Sequence, residues 1–384
     1  MITIKRVSDK KDFRVFAAFA NDLYRHNAYY VPELEIDVIH LFQAEKNPAF
    51  DFCESECFLA YREGKVVGRI GVIINHKSNL KWHQKYARFT HFDFIDDLEV
   101  SKTLMEAVKS YALNHGMNTV HGPLGFTDLD HQGMLVEGFN ELDLFITIYN
   151  APYYVEHMQQ LKFEKDVDWI ECQLKFSQEK ADKLSKLSEY LTRKSNFKLI
   201  EFHQKKELLK WAPAVFDLYN TAYAPLYGTS ELTQRQIDVY IKTFFGYVNP
   251  EFIKIVVDKN HKIAAFAIAM PSLSRAIQKS KGKIFPFGFL HILKALRSNT
   301  TLDLYLIAVK PEYHHSGING LLLDSVIRTA LKYKMNLAET GPMLENNHQV
   351  QAQWKFFETR QHRKRRVWKH TITPSNDLVA SHLD

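Results

Sequence analysis

Apolar residues recur at helical spacing in two stretches that also resemble each other. Residues 104–118 read LMEAVKSYALNHGMN, and residues 322–336 read LLDSVIRTALKYKMN. In both stretches apolar side chains follow one another at intervals of three and four positions, which predicts an amphipathic helix. Six residues coincide at a constant shift. The two predicted helices are therefore candidate copies of one element.

The similarity continues on both sides of these helices. Upstream, residues 58–74 and 253–270 each contain two apolar runs around a short turn, which predicts a hairpin. Downstream, each half has a Gly-Pro pair followed by Asp130-His-Gln or Asn347-His-Gln. Three landmarks in the same order indicate a duplication. The sequence thus predicts an α/β fold, more exactly an α+β mixed sheet in each copy, with domains at 1–176 and 197–384 and a linker helix at 177–196.

The composition is typical of a globular protein, and the charge and cysteine content exclude some classes of partner. It has 384 residues, of which 46% are hydrophobic and 24% charged. A net charge of +6 is too small for a dedicated nucleic-acid binder, so nucleic acid is not an expected partner. Three cysteines do not make a disulfide framework, and the sequence shows neither a signal peptide nor a run of about 18 apolar residues. We expect a soluble, cytoplasmic protein with no metal.

A strand-to-helix loop in the second half has the chemistry of a phosphate site. An apolar run ends at Pro311, a polar loop follows, and a helix is predicted to begin near Ile318. Unpaired N–H groups and the helix dipole make such a turn attractive to an anion. Gly317 and Gly320 allow the backbone to approach a ligand closely.

The same loop resembles the acetyl-CoA loop of the GNAT acyltransferases. That family has a strand ending in V-x-P-x-Y, then Arg or Gln, two residues, Gly, one residue, and Gly or Ala. Here Val309, Pro311 and Tyr313 keep the first part, while His314, Gly317 and Asn319 occupy the three signature places. The resemblance implies two tandem GNAT-like acyl-CoA N-acyltransferase domains, with acetyl-CoA or another acyl-CoA as co-substrate. It assigns the cofactor to Ile307, Ala308, Val309, His314, His315, Ser316, Gly317, Ile318, Asn319, Gly320 and Asn347.

The corresponding segment of the first half lacks these features. Glu99 stands at the place of Gly317, and Asp96, Asp97 and Glu99 lie at the start of the predicted helix. Carboxylates cap such a helix well but repel a pyrophosphate. We expect the first copy to serve structure or acceptor binding.

Two carboxylates are candidate general bases for an amine acceptor. Glu345 follows the strand beside the loop, and Glu137 lies in the Gly-rich segment 122–139, where Asp130 is an alternative. The competing interpretation of that segment is a turn whose carboxylates bind local N–H groups. Likewise Asn347 caps a helix in the competing interpretation. Trp354 stands where the family has a Tyr that protonates the thiolate, and Trp cannot act as an acid.

The whole chain resembles a bacterial group of long, tandem GNAT-like proteins, by segments 122–139 and 149–163. The predicted function is acyl-CoA-dependent acyl transfer to the amine of a small molecule or peptide, through the second half. One alternative is a Fem-type aminoacyl-tRNA-dependent transferase, and another is a non-catalytic ligand-binding or sensor protein. Binding of CoA or of aminoacyl-tRNA separates these possibilities.

Three other segments have simple structural interpretations. Cys53 and Cys57 lack further ligands at zinc spacing, so we interpret them as structural. The basic run 360–370 is interpreted as a solvated strand or helix end. We interpret Pro286–Arg297 as a core helix that covers the cleft, with a membrane-surface role as the alternative.

Overall fold

The structure, a computed structural model, describes residues 1–194, 196–244 and 248–373. The chain forms two compact units. Among the described residues, the first comprises Met1–Trp169, Ile277–Phe289 and residues 363–373, and the second comprises Ile170–Ala276 and Leu290–His362. Two strands, Glu164–Lys175 and Glu358–Thr371, contain a boundary between the units.

The elements of the described residues alternate between strands and helices. The strands are β1 (Thr3–Arg6), β2 (Cys53–Arg62), β3 (Lys65–Asn75), β4 (Tyr86–Phe94), β5 (Thr119–Gly122), β6 (Met134–Glu137), β7 (Glu164–Lys175), β8 (Lys198–Glu201), β9 (Ile253–Val257), β10 (Ile263–Pro271), β11 (Thr301–Val309), β12 (Leu337–Thr340), β13 (Met343–Leu344) and β14 (Glu358–Thr371). The helices are α1 (Lys10–Leu23), α2 (Glu35–Leu41), α3 (His76–Lys81), α4 (Leu98–Asn114), α5 (Tyr153–Gln160), α6 (Gln178–Lys194), α7 (Lys205–Leu209), α8 (Ala212–Tyr223), α9 (Gln234–Phe244), α10 (Ser274–Ser280), α11 (Gly288–Arg297), α12 (Ile318–Lys332) and α13 (His348–Ala352).

The two units repeat one strand order. In the first unit β1, β2, β3 and β4 are antiparallel neighbours, β4 is parallel to β5, and β5 pairs with the end of β14. In the second unit β8, β9, β10 and β11 are antiparallel neighbours, β11 is parallel to β12, and β12 pairs with the end of β7. The expected mixed α/β sheet is confirmed in both units. So are the two hairpins and the two similar helices, which are α4 and α12.

Each parallel pair separates partway along its strands. The pairing of β4 with β5 covers Tyr86–Arg88, and that of β11 with β12 covers Thr301–Leu304. Beyond these points β4 and β11 keep their other neighbour, with a register shift that marks a bulge in each strand. Each unit therefore has an opening in its sheet beside the remaining part of one strand.

One large core lies under each sheet. In the first unit Leu104 and Val108 of α4 pack with Ile70 of β3 and Trp368 of β14. In the second unit Leu322 and Val326 of α12 pack with Val256 of β9 and Ala265 of β10. The helical stripe of each copy is therefore used for the same purpose, to cover its hairpin.

The helix α6 lies within the segment 177–196 and belongs to the second unit. Ala181 and Leu184 are buried in the core of that unit. Ser185 Oγ donates a hydrogen bond of 2.6 Å to Asp324 of α12. The segment thus packs along α12 through its apolar side.

The interpretation of the basic run as a solvated end is wrong for two of its arginines. The run lies in β14, where Arg363 and Arg365 are buried. Arg365 donates to the carboxylate of Asp143, to Thr147 Oγ1 at 2.9 Å and to the Ile148 carbonyl. These acceptors are more than 200 positions away in the chain, so no local pattern reveals them.

The interpretation of Pro286–Arg297 as a core helix is also wrong. The helix α11 and the loop before it expose several apolar side chains, including Phe285 and Phe287. Within the described ranges, no helix combines the length and the apolar character needed to cross a membrane.

Candidate functional site

The loop after β11 has the strand-turn-helix geometry that the sequence predicts. A short 3-10 turn, Pro311–Tyr313, follows the strand, and α12 begins at Ile318. Gly317 precedes the helix with φ of 82°, a left-handed conformation that favours glycine. The loop residues from Pro311 to Gly320 are exposed or half-buried except for Ile318. A ligand therefore has access to the start of a helix of 15 residues.

Half of the backbone N–H groups of residues 315–320 are already bonded within the loop. Ser316 N–H donates to the Tyr313 carbonyl at 3.2 Å, and Gly320 N–H donates to the Gly317 carbonyl at 2.8 Å. Ile318 N–H lies 3.4 Å from Ser316 Oγ. The N–H groups of His315, Gly317 and Asn319 have no partner in the part of the chain that the structure describes. These three are the donors available to an anion.

Several of the other residues predicted to contact the cofactor already make hydrogen bonds within the protein. The Ile307 carbonyl accepts a hydrogen bond of 3.2 Å from the Tyr223 hydroxyl. His314 Nε2 lies 3.2 Å from the Val309 carbonyl, so the ring donates to its own strand rather than extending outward. On the far side, Ile307–Val309 pairs with Ala265–Ala267 of β10. A pantetheine arm at this edge would replace the Tyr223 contact.

The segment after β12 is a turn and a short helix. Gln351 Nε2 donates to the Leu344 carbonyl at 3.2 Å and to the Glu345 carbonyl at 2.9 Å. Asn347 accepts from Val350 N–H at 3.3 Å, which is a helix cap. Glu345 is half-buried in the same turn. Its role as base and the role of Asn347 as a cofactor contact remain predictions.

Trp354 serves packing in the second unit. Its side chain is buried, and its indole N–H points at Met343 Sδ at 3.1 Å. The indole therefore packs in the core of the second unit beside Met343.

Glu137 and Asp130 have structural partners in the first unit. The Glu137 carboxylate is exposed and lies 2.6 Å from Lys364 Nζ across the β6–β14 pair. Asp130 accepts from Thr127 N–H at 2.9 Å, and burial raises the pKa of Asp130. Both observations fit the turn interpretation of segment 122–139 better than a catalytic one.

The residue that precedes the helix is Asp97 at α4 in the first unit and Gly317 at α12 in the second. Asp97 caps α4 by accepting from Glu99 N–H at 2.9 Å and Val100 N–H at 3.4 Å. Arg62 lies 2.7 Å from Asp97 and 3.2 Å from Glu99. The helix start is therefore satisfied and negatively charged, as the sequence predicts.

A narrow polar cleft in the first unit was not expected from the sequence. Its volume is about 20 Å³, enough for one or two water molecules. It lies beside the part of β4 that has separated from β5. The charged groups that line it are Glu33, Arg69, His91, Asp93 and His131.

Arg69 holds the carboxylates of the cleft in place. It donates to Asp93 at 2.7 Å, to Glu33 at 2.5 Å and to the Phe16 carbonyl at 2.8 Å. Burial raises the pKa of Glu33, but Arg69 and His91 lower it more, and the pKa lies well below its usual range. Burial raises the pKa of Asp93 despite Arg69. Glu33 is thus an ionised carboxylate held away from water.

The two histidines of the cleft face the other oxygen of Glu33. His91 Nε2 lies 3.3 Å and His131 Nδ1 lies 3.6 Å from Glu33 Oε1. Burial lowers the pKa of His131, but the nearby Glu33 carboxylate raises it above its ordinary value. The His131 Nε2 atom has no partner among the described residues. A carboxylate-held imidazole with one free nitrogen can accept a proton from a bound group.

No sequence signal pointed to this cleft. Its acidic and basic side chains come from four separate segments between positions 33 and 131, and none belongs to a recognisable motif. Of these segments only 122–139 carries a sequence signal, and that signal favours its carboxylates over His131 as candidate bases. In the ranges that the structure describes, no group of His, Cys, Asp and Glu is arranged to hold a metal ion.

The chain is similar to two proteins over most of its length. Protein YghO of Escherichia coli is 25% identical over 358 residues, which cover 90% of this chain and 89% of that protein. Bacterial ceramide synthase of Caulobacter vibrioides is 22% identical over 355 residues, with 88% of each chain covered. No protein-family model matches the chain.

A solved structure defines the fold. The tandem GNAT protein from the clavulanic acid biosynthesis pathway, without AcCoA, matches with a TM-score of 0.56 and 12% identity. The match covers 98% of this chain and all of that one. With the repeated strand order and the separated parallel strands described above, the fold of this chain is that of the tandem GNAT proteins.

Proposed function

We propose that this protein is an acyl-CoA-dependent N-acyltransferase that binds its donor at the second unit. The observation that carries the proposal is the left-handed Gly317 between a strand that leaves its parallel neighbour and a long helix. The pyrophosphate would accept from the free N–H groups of His315, Gly317 and Asn319. The pantetheine would follow the edge Ile307–Val309.

For the acceptor we propose a long-chain amino alcohol or a similar lipid amine. The support is the likeness to a protein named bacterial ceramide synthase. A ceramide is the amide of a fatty acid and a long-chain amino alcohol, so the donor would be a fatty acyl-CoA. The amine nitrogen attacks the thioester carbonyl, the carbon–sulfur bond breaks, and the CoA thiolate leaves and takes a proton from water. Backbone N–H groups stabilise the oxyanion.

The proton released by the amine needs an acceptor. Glu345 in the second unit is our candidate, since it follows the strand beside the loop. Glu345→Gln tests this role through the dependence of kcat on pH. A general base must be deprotonated to act, so kcat of the unaltered protein should fall toward acidic pH, and kcat of Glu345→Gln should be low and lack this fall.

The donor site is tested by two variants of one residue that differ only in charge. Asn and Asp both tolerate the left-handed conformation better than other residues, so Gly317→Asn and Gly317→Asp keep similar geometry. We expect Gly317→Asp to weaken CoA binding at least about tenfold relative to Gly317→Asn, because a carboxylate would face the pyrophosphate. Calorimetric titration measures CoA affinity, and mass spectrometry detects the amide product from a fatty acyl-CoA and a long-chain amino alcohol.

Two results would overturn the proposal. One is the absence of CoA binding to the unaltered protein at saturating concentrations. The other is saturable binding of aminoacyl-tRNA without CoA binding, which would favour a Fem-type transferase. Equal CoA affinity in both Gly317 variants would show that CoA does not bind at this loop.

A further inference from the structure

A loop in the first unit displays aromatic side chains to solvent. It comprises residues 281–289, here called the Phe loop. Phe285, Phe287 and Phe289 are 78%, 70% and 37% exposed, and the ring centroids of Phe285 and Phe289 are 6.1 Å apart. Grouped apolar surface of this kind typically marks a contact site.

The Phe loop is held rigidly against the first unit. Just before it, Gln278 Nε2 donates to the Ala28 carbonyl at 3.0 Å and to the Tyr30 carbonyl at 2.8 Å. Gly282 is buried, and a Cβ atom at this position would lie 2.4 Å from the Glu33 carbonyl. The backbone beside these rings is therefore fixed to the first unit, while the Phe285 and Phe287 rings themselves are exposed to solvent.

Cations rather than carboxylates accompany these rings along the chain. Between Ser272 and Leu302 the sequence has no Asp or Glu. Lys283 lies 3.8 Å from Glu35. Lys279 and Lys281 of the first unit are exposed and have no ion-pair partner among the described residues.

We infer that the Phe loop docks on the surface of an anionic lipid bilayer. Its aromatic side chains enter the boundary between headgroups and acyl chains, and the neighbouring lysines stay with the phosphates. Each Lys near such a surface strengthens the attraction to anionic lipid. A second copy of this chain does not fit the same face, because two copies would bring the cations together.

The inference stands on exposure and charge and does not depend on the proposed function. It agrees with that function, because a long-chain amine resides in a bilayer. The test below adds neither donor nor acceptor, so its failure leaves the acyltransferase proposal untouched. Failure of CoA binding likewise leaves this inference untouched.

The test is flotation of the full chain with vesicles. Unaltered protein should bind vesicles of phosphatidylglycerol and phosphatidylethanolamine, should bind pure phosphatidylcholine at least about tenfold more weakly, and should lose binding as salt increases. The double variant Phe285→Ser and Phe287→Ser should lose at least about tenfold in affinity for the anionic vesicles. Leu80→Ser is the matched control, since Leu80 is 77% exposed elsewhere in the first unit.

A variant that changes only charges tests the inference independently, in case the serine substitutions disturb folding. Lys279→Glu with Lys281→Glu should weaken vesicle binding while circular dichroism stays unchanged. Three outcomes would overturn the inference: no binding to anionic vesicles, equal binding by the Phe and Leu80 variants, or a loss of self-association in the Phe variant without vesicle binding. The last outcome would indicate a contact between copies.

Discussion

Glu33 shows how one residue organises the cleft of the first unit. Its carboxylate receives Arg69 on one oxygen and two imidazoles on the other. An ionised carboxylate away from water requires such partners, because its desolvation is costly. The same carboxylate favours the protonated form of His131, whose pKa is raised.

The raised pKa of His131 predicts a loss of stability toward alkaline pH. The folded state holds this proton more tightly than the unfolded chain, so the stabilisation is complete below the ordinary pKa of about 6.5. It disappears as the pH rises through the higher pKa of the folded state. We expect the urea-unfolding midpoint to fall over this range, and to fall less in His131→Gln. The exposed His26→Gln is the control, and identical pH dependence in all three proteins would contradict the assignment.

The two equivalent helices begin in opposite ways, and this difference separates the roles of the units. At α4 the Asp97 side chain binds the first N–H groups, whereas at α12 Gly317 has no side chain to do so. A capped helix gains stability, and an uncapped one keeps donors for a ligand. The duplication thus contains one helix start adapted to folding and one adapted to an anion.

Removal of the cap at α4 should destabilise the protein. We expect Asp97→Ala to lower the free energy of unfolding by about 1 kcal/mol, since two N–H groups lose their acceptor. Asp22→Ala is the control, because Asp22 is exposed and pairs with the nearby exposed Arg25. Urea titration followed by circular dichroism measures both variants. Equal small effects would show that Asp97 is not an important cap.

At the scale of the whole molecule, most of the last described strand, from Arg363 to Thr371, belongs to the first unit. Trp368 and Ile372 lie in the core of that unit, and β14 completes its sheet beside β5. Arg365 is fully buried and ion-paired with Asp143, which is also buried. The first unit is therefore built from residues at both ends of the chain.

Breaking this buried pair should be far more costly than removing a nearby exposed charge. We expect Arg365→Met to destabilise the protein by about 3–5 kcal/mol, because Asp143 would remain buried without its cation. Arg360→Met, at an exposed position of the same strand, should cost less than about 1 kcal/mol. Thermal and urea unfolding compare the two, and a similar loss in both would show that the pair has no special weight.

Local patterns were sufficient for much of the fold. The amphipathic periods of 104–118 and 322–336, the two hairpins and the acidic start of α4 depend on neighbours within a few positions, so the sequence alone revealed them. The GNAT resemblance of the loop at 309–320 was also local. The sequence does not show how many N–H groups of this loop are free. That number depends on the backbone angles that bring Ser316 N–H to the Tyr313 carbonyl and Ser316 Oγ to Ile318 N–H.

Only the tertiary structure decided what distant residues do together. Glu33, Arg69, His91 and His131 meet because β3, β4 and two loops surround one opening in the sheet. Arg365 is buried because its acceptors come from a segment more than 200 positions earlier. The apolar residues of 285–293 satisfy a helical pattern equally well inside or outside, and only packing determines that they face solvent. Periodicity is a property of one element, whereas burial and ion pairing arise between elements.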